Sequence, residues 1–141
     1  MGEHKVNKLN SQEELQLFVK HLLNDVKALE LMLKQDSFEK DTMRIGAEQE
    51  MFMVDNTYFK PALIAVDVLK EMEEYKWVGT ELAKFNLETN LSPREFTGSC
   101  FSDMENENNE YLAIIRSYLE KYDAKVILTG ILPTLNKFDL K

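Results

Sequence analysis

The chain has 141 residues, a length that sets one domain rather than two. Its 44% hydrophobic content, with only three Pro and five Gly, excludes a disordered chain, and 25 acidic against 17 basic residues, a net charge of −8, leave no basic footprint for nucleic acid or an acidic lipid surface. A single cysteine, Cys100, excludes an intramolecular disulfide framework. The polar N-terminal stretch has no apolar signal core, and no run approaches the ~18 apolar residues of a membrane span. The expectation is a cytoplasmic protein.

Residues 1–10 read as a flexible tail. Ser11-Gln12-Glu13-Glu14 has the spacing of a capping box and predicts a helix starting there. Leu15, Phe18, Leu22, Val26, Leu29 and Leu33 then recur at steps of three and four, one apolar stripe that runs to about Lys34 or Gln35. The same stripe admits a coiled-coil seam. From Met43 to Asp55 the period falls to two, with Ile45, Ala47, Met51 and Met53 on one parity and Arg44, Gly46, Glu48 and Glu50 on the other, which predicts a strand. Pro61 opens a predicted helix carrying Leu63, Ala65, Val68, Leu69 and Met72. Trp77 to Thr80 leads into a second strand, Glu81 to Asn90, ended by Pro93. Ser102-Asp103-Met104-Glu105 is another capping-box pattern, placed before a helix whose face is Tyr111, Ile115, Tyr118 and Tyr122 with Leu112 and Leu119 alongside. Lys125 to Ile131 is apolar and β-branched, a last strand stopped at Pro133. Three strands make a thin sheet with little chain left to cover it, the pattern of the N-terminal part of a longer protein or of half an assembly.

The chemistry concentrates in two strands. Glu48 and Glu50 share a strand face with Cβ atoms roughly 6–7 Å apart, given about 3.3 Å of rise per residue. Two such carboxylates stay solvated, share a proton or share a cation, and hard oxygen ligands at that spacing suit Mg²⁺ bridging to phosphate. In the second strand Lys84, Asn86, Glu88 and Asn90 share one face, with Ala83, Phe85 and Leu87 opposite. If the two strands lie in one sheet, Glu48, Glu50 and Glu88 converge, and Glu81 arrives from the strand's entrance. Two readings stand open at this point: a solvated polar face, or a divalent-cation site that relieves the repulsion.

These residues resemble the type-2 glutamate–cysteine ligases and related carboxylate–amine ligases of the glutamine-synthetase-like superfamily. The likeness lies in Gly46-Ala47-Glu48-Gln49-Glu50 followed by Val54-Asp55, in the Glu-Leu-x-Lys-x-x-x-Glu-x-Asn pattern from Glu81 to Asn90, in the long helix that follows, and in the Gly-x-x-Pro turn Gly130-Ile131-Leu132-Pro133. It spans about Met43 to Pro133. The family's Gly-Thr-His-Pro turn lacks its histidine here. The resemblance implies an α+β fold, a mostly antiparallel curved sheet with helices packed on one face, of which residues 11–141 form the N-terminal part. It implies an ATP- and Mg²⁺-dependent ligase that joins the γ-carboxylate of glutamate to an amine such as cysteine through an acyl phosphate. Glu48, Glu50, Glu81 and Glu88 match the family's metal ligands. Arg94, past Ser92-Pro93, is the candidate for a substrate carboxylate or a phosphate oxygen, because guanidinium geometry suits both. The implied partners are small substrates, with no nucleic acid and no membrane, and a homo-oligomer is compatible. His4, His21 and Cys100 receive no role. A different class also fits: a small non-catalytic α/β binding or dimerisation module, associating through the Leu15–Leu33 stripe. A third reading is a kinase or synthetase of the same superfamily with another acceptor.

Overall fold

The computed structural model describes residues 8 and 10–139. They fall into two compact units, Met1–Thr42 and Met43–Lys141. The tail expected over 1–10 lies, except for residues 8 and 10, outside the described residues.

The first unit is built on α1, Gln12–Lys34. Ser11 caps it as the sequence predicts: the Ser11 hydroxyl accepts from the Glu14 N–H at 3.1 Å, and the Glu14 carboxylate accepts from the N–H groups of Asn10 and Ser11. Two donors left orphaned at a helix start are satisfied locally. Glu30 and Lys34, four residues apart, pair at 2.7 Å near the C-terminus, where a cation also meets the negative end of the helix dipole.

The second unit is α+β. Its strands are β1 (Arg44–Ile45), β2 (Glu48–Asp55), β3 (Val78–Thr80), β4 (Asn86–Asn90), β5 (Arg94–Glu95) and β6 (Ala124–Ile127). Four form a sheet in the order β3-β4-β2-β6, while β1 and β5 make a separate two-stranded ladder. Every ladder is antiparallel. Two helices accompany them, α2 (Ala65–Glu71) and α3 (Cys100–Leu119), the latter followed by one 3₁₀ turn, Glu120–Tyr122.

Several expected elements change. The single strand over Met43–Asp55 is two strands in two sheets, because Arg44 and Ile45 pair with Glu95 and Arg94 before β2 begins. Pro61 does not open a helix; it bridges to Val54, and α2 starts four residues later at Ala65. The strand expected from Glu81 starts at Asn86, since Glu81–Phe85 forms the connection of a β3–β4 hairpin. The helix α3 begins at Cys100, ahead of the Ser102 pattern, with Ser99 donating its hydroxyl to Asp103 at 2.9 Å. The last strand ends at Ile127 rather than Ile131. The thin three-stranded sheet is thus a four-stranded sheet plus a ladder.

The core lies on one sheet face. Met51 and Met53 of β2 and Leu87 of β4 pack with Ala65, Val68 and Met72 around α2 and with Leu112, Ile115 and Leu119 of α3. The period of two on β2 and of three or four on α3 places these side chains. Trp77 stacks on Tyr111 with ring centres 3.9 Å apart and planes 1° from parallel, which pins the approach to β3 against α3. At the far end of β2, Asp55 accepts from the N–H groups of Thr57, Tyr58 and Lys60, closing the turn in which Phe59 takes a positive φ. Asn56 then bonds Asp123, whose left-handed backbone ends the 3₁₀ turn and feeds β6. Among the described residues no helix is long and apolar enough to cross a membrane.

Candidate metal centre

The polar face predicted from period two exists at one end of the sheet, the same parity of β2 going on to Phe52, stacked on Phe85, and to fully buried Val54. With Met51 and Met53 in the core, β2 turns Glu48 and Glu50 to the other side, and β4 does the same with Asn86, Glu88 and Asn90. Register decides which of them meet. Glu50 stands directly opposite Glu88, and Glu48 opposite Asn90, so the two carboxylates across the ladder have Cβ atoms about 4.5–5.5 Å apart. On the other side of Glu88, β3 places Gly79, which contributes no side chain to that row. A Cβ built there would meet nothing within 4 Å. Glu81 follows two residues later with the same parity.

The result is a carboxylate trio. Glu50, Glu81 and Glu88 each offer an oxygen within 4.8 Å of the others. Their environments are graded: Glu50 is exposed, Glu81 half-buried, and Glu88 only 5% exposed. Glu88 is also oriented, since the Asn90 side-chain amide donates to its Oε1 at 3.0 Å. Three anions at this separation repel one another, and the repulsion grows as water is withdrawn. A cation shared among them removes that penalty. Of the four expected metal ligands the structure brings together three; Glu48, one register step away at the exposed start of β2, lies outside the trio.

Arg94 occupies a different setting. It begins β5 and pairs with Glu107 of α3 at 3.2 Å, its side chain 32% exposed against 11% for Glu107. Its Nε is buried without a hydrogen-bond partner. Glu107 also accepts from the Ser92 backbone N–H, from the Ser92 hydroxyl at 2.6 Å and from the Tyr111 hydroxyl at 2.9 Å. Desolvation pushes the Glu107 carboxyl upward, but these hydrogen bonds to Ser92, Tyr111 and Arg94 outweigh it and hold the group below its ordinary range. Tyr111 moves the other way, raised first by desolvation and then by its bond to the Glu107 anion. Arg94, Glu107 and Tyr111, together with Asp103, Asn106 and Glu110, line an open depression of about 340 Å³.

Glu107 is absent from the sequence reading. The signal was the helical spacing of Asp103, Glu107 and Tyr111, which puts two acids and a phenol on one stripe of α3 facing the loop of Ser92. His21 is exposed on α1, and Cys100 is buried in the first turn of α3. Comparison with protein-family models, with curated proteins and with solved structures finds no match.

Proposed function

We propose that this chain carries one wall of the Mg²⁺–nucleotide site of an ATP-dependent carboxylate–amine ligase resembling the type-2 glutamate–cysteine ligases, with a partial glutamine-synthetase-like fold. The observation that carries the reading is the convergence of Glu50, Glu81 and Glu88 from three segments upon one point of the sheet's polar face. The donor set fits the ion. Mg²⁺ takes hard oxygen ligands at about 2.0–2.1 Å, so two of its ligands stand at most about 4.2 Å apart, and groups already within 4.8 Å reach that by small rotations. Carboxylate oxygens without thiolate or imidazole also select against softer metals.

The ion, when bound, neutralises charge on the phosphates during phosphoryl transfer. Glu88, buried and held by Asn90, would be the ordered ligand, and Glu50 and Glu81, the more exposed members of the trio, would complete the set. Arg94 remains the candidate for a substrate carboxylate or phosphate oxygen, a role that requires it to leave Glu107, because the depression it lines is otherwise acidic, with Asp103, Glu107 and Glu110. Nothing in the trio selects adenine, glutamate or a particular amine; those contacts come from elsewhere in the site.

The test is turnover. The chain, and any longer protein that contains it, is incubated with ATP, Mg²⁺, glutamate and a panel of amines that includes cysteine, and the release of ADP is followed together with the γ-glutamyl product. Mg²⁺-dependent product formation that Glu50→Gln abolishes supports the reading. Product formed at an unchanged rate by Glu50→Gln, or no turnover with any amine, overturns it.

A further inference from the structure

The helix α1 is well capped, yet none of its 23 residues is buried. In proteins most helical stability comes from packing an apolar face, and α1 leaves a long one in solvent. Leu15, Val19, Leu22, Val26, Leu29 and Leu33 recur at steps of four, three, four, three and four, a strict period of 3.5. One alternate set is Leu15, Leu22 and Leu29; the other is Val19, Val26 and Leu33. Leucine at one core position of a heptad with valine at the other is the combination that favours two parallel strands.

The surface available matches such a pairing. Phe18, Leu23 and Met32 flank the seam, making nine large apolar side chains that are each 41–63% exposed. Together they put on the order of 800 Å² on one side of the helix, the amount each partner contributes to a standard stable interface. Lys20, Lys27 and Lys34 repeat every seven residues away from the seam; Asp25 and Glu30 are the charges beside it. A parallel, in-register pair sets Asp25 of one copy near Glu30 of the other, a like-charge contact at the solvent-exposed rim that the apolar seam has to outweigh. Leu17 and Leu31 lie opposite and are left in solvent by a two-stranded pairing.

We propose that a second copy of this chain covers the seam, α1 pairing with α1 in parallel and in register. The inference does not rest on the metal site and stands or falls separately from the ligase reading. It is tested by sedimentation equilibrium on the whole chain at tens of micromolar. The expected species has twice the 16.5 kDa chain mass, and the double substitution Leu22→Glu with Val26→Glu returns it to a monomer while Trp77 fluorescence, which reports on the second unit, is unchanged. A second measurement preserves the apolar face: Val26→Cys, in a chain whose native Cys100 is buried, is expected to give a disulfide-linked dimer on mild oxidation, and Asn24→Cys, off the seam, is not. A monomer at the highest concentration, a dimer untouched by both glutamates, or equal cross-linking at Asn24→Cys and Val26→Cys overturns the proposal.

Discussion

Glu107 ties Ser92, Arg94 and Tyr111 into one network, and its role is decided by what removal leaves behind. In Glu107→Ala a guanidinium, a serine hydroxyl and a phenol lose a charged acceptor in a half-buried setting, so the substitution is expected to cost about 2 kcal/mol of stability in urea unfolding. Its titration has a definite sign. The folded carboxyl sits below the ordinary glutamate value of 4.5, so the folded state favours the anion. That contribution is complete above about pH 4.5 and is lost as pH falls through the lower folded value. Asp55 adds to the same slope. The N–H of Tyr58 is the largest influence on it and exceeds the upward push of burial, and the N–H groups of Lys60 and Thr57 lower it further, leaving it below its ordinary 3.8. Acid unfolding is therefore expected to steepen below about pH 4.5, and Glu107→Gln to flatten part of that slope; an identical acid profile in the variant would show that the network is not anionic in the fold. Tyr111, raised in the fold, contributes stability below its unfolded value near 10 that is lost as pH climbs through the folded one.

At the scale of elements, α3 carries the core. Ile115 is fully buried in the core cluster it shares with residues of the sheet and of α2, so Ile115→Ala is expected to cost about 3 kcal/mol, read from the denaturation midpoint at constant slope. What was legible in the sequence follows the range of the forces involved. The start of α1 could be read because Ser11 and Glu14 satisfy the helix terminus by themselves. The same pattern at Ser102 misleads, because Asp103 bonds Ser99 and the helix is already under way. The break at Gly46–Ala47 was not legible, since it is set by the pairing of β1 with β5, fifty residues along the chain. Period two correctly placed Glu50 and Glu88 on one face, but it cannot supply register, and register is what brings these two together and leaves Glu48 out. Glu81 needed the hairpin: read as part of one long strand it stands far from Glu88, and only the turn through residues 81–85 returns it. Replacing Gly79 with alanine, which meets nothing within 4 Å, is expected to leave the fold intact; replacing it with leucine is expected to crowd the row beside Glu88 and weaken cation binding at least tenfold in a calorimetric titration.

At the scale of the molecule, the second unit combines an apolar face packed against two helices with an opposite face that is acidic at one end. A net charge of −8 makes such an accumulation costly unless a cation shares it. Cation binding to the folded state alone stabilises it by mass action, about 2.7 kcal/mol at a hundredfold excess over the dissociation constant. Mg²⁺ is accordingly expected to raise the melting temperature by several degrees, and Glu88→Gln to remove that rise. The most direct measurement is the binding of Mn²⁺, as a spectroscopic stand-in for Mg²⁺, to the chain and to its Glu50→Gln, Glu81→Gln and Glu88→Gln variants. One saturable ion per chain, competed by Mg²⁺ and weakened at least tenfold by each substitution, is the expected result. Binding that is non-saturable, or indifferent to all three substitutions, would contradict the metal centre and the function proposed on it.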